Sequence, residues 1–77
     1  MNELQIHHNA LDLRGLKRDQ VLALTMERAA RVPPKGSFSI IVDREYTELY
    51  PFILDLGFIE QTLRDRNGNW RVFCSKL

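Results

Sequence analysis

Few side chains in this 77-residue sequence are of types that do chemistry, and their spacing limits what each can do. Arg14, Lys17 and Arg18 crowd around Gly15 just before a helical run. The free N–H groups of a helix start, with the positive end of its dipole, attract anions, and nearby cations strengthen the pull. The trio is a candidate site for a phosphate, a sulfur oxyanion or a carboxylate, or a patch for an acidic partner surface. The plainer reading is a solvated turn in which Asp19 caps the helix and pairs with Arg18. An exposed pair of that kind is worth only about 0–1 kcal/mol. Cys74 is the sole cysteine and cannot form an internal disulfide. A reactive thiol needs an exposed, electropositive setting, whereas alternation with Trp70 and Val72 predicts a small buried apolar group. His7 and His8 point apart in any regular structure and lack a third ligand, so neither a metal nor another cofactor is expected. Tyr46 and Tyr50 are expected at a helix edge. No hydrolytic triad, Gly-rich phosphate loop or paired-carboxylate spacing occurs, and no catalytic residue is assigned.

The elements that position these residues follow from hydrophobic periodicity. Residues 1–9 read as a flexible segment and 10–77 as one domain. Ala10–Arg14 alternates and predicts a strand with Leu11 and Leu13 buried. Asp19–Arg31 predicts a helix with Asp19 as N-cap and Leu22, Thr25, Met26 and Ala29 as its core stripe. Val32-Pro33-Pro34-Lys35-Gly36 breaks it. Ser37–Val42 predicts a strand, with Phe38, Ile40 and Val42 on one face and Ser39 and Ile41 on the other. Asp43–Leu56 predicts a second helix with an apolar stripe of Leu49, Phe52, Ile53 and Leu56. Pro51 fits if it falls in the first turn, which would make Thr47 the N-cap. Gly57 follows as a helix stop. Phe58–Arg64 and Asn69–Lys76 flank Asp65-Arg66-Asn67-Gly68, a hairpin signal.

The order is β-α-β-α-β-β. In so short a chain it predicts an α+β fold: a two-layer α/β sandwich, a four-stranded mixed sheet with two helices on one face. Trp70, Val72 and Cys74 suit the covered side. Ile41 and Phe73 should project from the open side with Thr62 between them, ringed by Glu60, Arg64 and Arg71, a surface suited to a protein or homodimer contact.

Bulk composition narrows the function classes. The chain is 44% apolar and 27% charged, with a formal charge of +1. Residues 1–35 carry six Lys/Arg against four Asp/Glu, and residues 36–77 five against six. Balanced charge argues against a strong nucleic-acid or membrane-surface binder. No apolar run approaches the ~20 residues that span a bilayer, and MNELQIHHNA is unlike a signal peptide. A cytoplasmic location is expected.

LDLRGLK at 11–17, PPKG at 33–36, a second helix containing a proline, and WRVFCSK at 70–76 together resemble the TusA/SirA-like superfamily of small sulfur carriers. The resemblance runs from about Ala10 to the C-terminus and implies the same sandwich. It also implies persulfide carried on a Cys-Pro pair at the start of the first helix and handed to partner proteins. Here Arg18 and Asp19 stand at those positions, and arginine cannot hold a persulfide. DREYTELYPFILDLGF at 43–58 looks like a cysteine-less branch of the superfamily.

The expected function is therefore a small non-enzymatic binding or adaptor module. Arg14, Lys17 and Arg18 would dock a protein partner, such as a sulfur-relay or redox protein, or a small anion. Ile41, Phe73 and Arg71 would serve partner or self association. The alternative is sulfur transfer or redox chemistry through Cys74. RNA binding ranks below both, because Phe73 is the one convincing aromatic residue on the open sheet.

Overall fold

The alternation of SFSIIV places it at the heart of a sheet. In a computed structural model, residues 10–77 are described and form β1 (Leu11–Asp12), α1 (Arg18–Ala30), β2 (Ser37–Val42), α2 (Leu49–Asp55), β3 (Phe58–Arg64) and β4 (Trp70–Lys76). The readings for residues 1–9, His7 and His8 included, lie outside the described residues. The strand order is β1-β2-β4-β3. β1 runs parallel to β2, as a connection through a helix allows, and β4 runs antiparallel to both β2 and β3. Phe38, Ile40 and Val42 of β2, Phe58 of β3, and Val72 and Cys74 of β4 share one buried core with Val21 and Ala29 of α1 and Leu49 and Ile53 of α2. This is the expected α+β sandwich, a mixed four-stranded sheet with both helices on one face.

Local chemistry explains the boundaries. Asp65 organises the hairpin: its Oδ1 accepts the N–H of Asn67 at 2.8 Å and of Asn69 at 3.0 Å. Gly68 supplies the φ of +84° that closes the turn, a conformation other residues adopt at a cost. Burial alone would raise the Asp65 pKa, but the N–H bonds from Asn69 and Asn67 outweigh it and hold the carboxyl below its usual range.

Both helices differ from the sequence reading at their starts. The N-cap of α1 is Lys17, and Asp19 lies inside the first turn, where its charge suits the dipole. Gln20 makes the earlier start possible, because its Oε1 accepts the Lys17 N–H at 3.1 Å. The buried stripe is Val21, Thr25 and Ala29: Thr25 and Ala29 lie where expected, Val21 rather than the partly buried Leu22 completes the stripe, and Met26 is half exposed. Thr25 is tolerated in the core because its hydroxyl donates to the Val21 carbonyl at 2.7 Å. α2 is half the expected length. Glu48, not Thr47, is its N-cap, and Pro51 falls in the first turn, where its missing N–H removes no helical bond. Residues 43–48 are a loop and turn instead, held by contacts described next.

Candidate functional site

Three ties bind the loop 15–18 to the segment 43–48. The Gly15 N–H donates to Asp43 Oδ2 at 2.8 Å. The Tyr46 hydroxyl reaches the Leu16 carbonyl at 3.5 Å, while its ring is buried. Arg18 Nε meets Glu48 Oε2 at 3.0 Å. The corner expected to attract anions is thus a clasp between the starts of the two helices. Arg18 pairs with Glu48 rather than with Asp19, because the turn brings Glu48 alongside. Arg44 is turned towards Asp43 at 3.7 Å and lies 5.9 Å from the Tyr46 ring centre. Tyr50 donates to Glu45 Oε2 at 2.6 Å; burial, then the Glu45 carboxylate, raises its pKa.

Arg14 lies apart from this clasp. Its guanidinium grips Asp12 at two points, Nε to Oδ1 at 2.9 Å and Nη2 to Oδ2 at 2.7 Å. That paired bond holds the Asp12 carboxyl down at about 2 and raises the Arg14 pKa in turn. The expected trio is therefore brought together in sequence but divided in charge. Arg14 and Arg18 each have a carboxylate, and Lys17 makes no ion pair with another described residue. A cleft of about 530 Å³ lies beside Lys17, Arg18, Arg44 and Tyr46.

The open sheet face is different in kind. Ser39 pairs with Phe73 and Ile41 with Arg71 between β2 and β4, so Ile41, Phe73 and Arg71 share a face as expected. Across β4 on the other side, Phe73 pairs with Gln61, Arg71 with Leu63 and Ser75 with Ile59. Directly opposed residues point the same way. Thr62, Glu60 and Arg64 therefore point to the helix side, where Glu60 accepts the Thr62 hydroxyl at 2.9 Å and Arg64 lies over Trp70 at 5.6 Å. The expected ring around Phe73 is corrected: Ile59 and Leu63 take those places, and both are more than half exposed. The signal was in the sequence. A hairpin closed by Asp65 and Asn69 fixes 63 opposite 71, and alternation does the rest.

Cys74 is fully buried beside Val72, and burial, helped by the Glu60 charge, pushes its thiol up to about 12. At neutral pH it holds its proton, which is the wrong state for a nucleophile. A second concavity of about 530 Å³, not foreseen from the sequence, lies where the end of α1 meets the sheet, beside Arg28, Arg31, Ser37, Phe73 and Ser75. Arg31 is engaged with Glu27 at 3.5 Å. Among the described residues, no group of three or more His, Cys, Asp or Glu is placed to hold a metal, and no helix is long and apolar enough to cross a membrane. Comparison with family models, curated proteins and solved structures returned no match.

Proposed function

We propose that this chain is a non-enzymatic protein-binding module, a relative of the TusA/SirA-like sulfur carriers without their sulfur-bearing cysteine, that meets its partner through the open face of the sheet. The observation that carries this reading is the set of apolar side chains left on that face. Ile41 and Phe73 are partly exposed at its centre, and Ile59 and Leu63 lie more than half exposed towards β3. A sheet face this apolar, with no layer of described residues over it, is what a partner's surface would cover. Sulfur transfer through Cys74 is disfavoured by the buried, protonated thiol.

The corner supports a second docking mode through Lys17, which projects beside a cleft without a carboxylate of its own. The two readings separate in one experiment. A tagged chain is recovered from extracts of the cells that produce it, and its co-purifying proteins are quantified. Ile41→Lys with Phe73→Lys should lose the specific partner, and Lys17→Glu should keep it. Loss with Lys17→Glu and retention with the face variant would move the function to the corner.

A further inference from the structure

β3 ends the sheet, and its outer edge meets no described strand. The Asp65 N–H donates to the Asn69 carbonyl, and the Leu77 N–H donates to the Gly57 carbonyl, so 57 and 65 turn these groups towards the residues that flank β4. The register between them is unbroken. By alternation 59, 61 and 63 also face β4, while Phe58, Glu60, Thr62 and Arg64 turn their N–H and C=O groups outward. Edge strands usually carry a defence such as charged side chains, a proline, a bulge or a very short length. β1, at the other edge, has only two residues. β3 has seven, FIEQTLR, with an unbroken pairing and no proline, and its two charges, Glu60 and Arg64, are of opposite sign.

We propose that β3 pairs antiparallel with β3 of a second copy about a two-fold axis at Gln61, which goes beyond the partner contact on the sheet face. The sequence is self-complementary in that register. Ile59 lies opposite Leu63 of the second copy, twice, joining the two most exposed apolar side chains of the strand. Glu60 lies opposite the uncharged Thr62, and its diagonal neighbours in the second copy are Arg64, of opposite charge, and Glu60. A shift centring the axis on Glu60 would oppose two carboxylates. All seven residues of each strand are paired, and the outward groups form four hydrogen-bonded pairs. The product is one continuous eight-stranded sheet.

The test is light scattering across a protein concentration series, with circular dichroism as the fold control. The wild-type chain should be a dimer that dissociates on dilution. Thr62→Pro removes an outward N–H that the fold does not use, and should give a folded monomer. If that variant does not fold, Ile59→Lys with Leu63→Lys takes its place with the same expected monomer. Gln61→Cys should cross-link spontaneously into dimers under mild oxidation, and Ser39→Cys should not. A wild type that is monomeric throughout, a dimer indifferent to these variants, or cross-linking through position 39 instead overturns the proposal. Ile41→Lys with Phe73→Lys should stay dimeric while losing the partner, so either proposal can fail alone.

Discussion

The corner around Gly15 and the open face of the sheet are the two regions weighed as sites for a partner protein, and they are finished to different degrees. At the corner nearly every polar group has an internal answer. Arg14 has Asp12, Arg18 has Glu48, the Gly15 N–H has Asp43, and the Tyr46 hydroxyl has the Leu16 carbonyl. On the sheet face the apolar groups have none: Ile59 and Leu63 project into solvent beside Phe73. Cations draw attention in a sequence, but a cation matched by a carboxylate is a structural contact. Apolar surface without cover is the feature that needs a partner.

Substitutions can break that contrast. Tyr46→Ala should have the largest effect, because it empties a buried aromatic site and cuts the clasp. A loss of about 3–5 kcal/mol in urea unfolding is expected. Phe73→Lys, on the face, should change stability by about 1 kcal/mol or less. If the two variants lose similar stability, the face is part of the core and the contrast fails. A smaller effect belongs to Asp12. Its carboxyl lies at about 2 in the fold instead of the ordinary 3.8. A depressed carboxyl contributes stability above its unfolded value and loses it as pH falls through the folded one. The urea midpoint should therefore decline between about pH 4 and 2. Solvent screening keeps the change small, since both partners are roughly half exposed. Arg14→Gln should flatten that part of the profile; an identical profile would mean that the pair does not hold the charge.

The parts legible in the sequence were those written in short-range patterns. β2 and β3 begin and end where alternation and turn residues place them, and Asp65-Arg66-Asn67-Gly68 closes the hairpin as its composition predicts. The phase of α1 was less legible. Thr25 and Ala29 face the core as read, with a backbone carbonyl satisfying the Thr25 hydroxyl, but Val21 and not Leu22 completes the stripe and Met26 is left half exposed. The corner was the least legible, for a plain reason. Its contacts join Gly15 to Asp43 and Arg18 to Glu48, across about thirty residues of chain, and no local window contains both ends. The same distance hid the short length of α2, since Asp43 and Tyr46 serve the clasp instead of extending the helix. Ile59 and Leu63 were hidden differently: their face depends on register across the hairpin, and a slip of one residue inverts it.

The most direct test of the contrast is photo-crosslinking in living cells, with a photoreactive phenylalanine analogue placed at Ser39 on the open face or at Lys17 in the corner. A discrete adduct with a partner protein is expected from position 39 and none from position 17. An adduct from 17 alone would contradict it, and would return the function to the cationic turn.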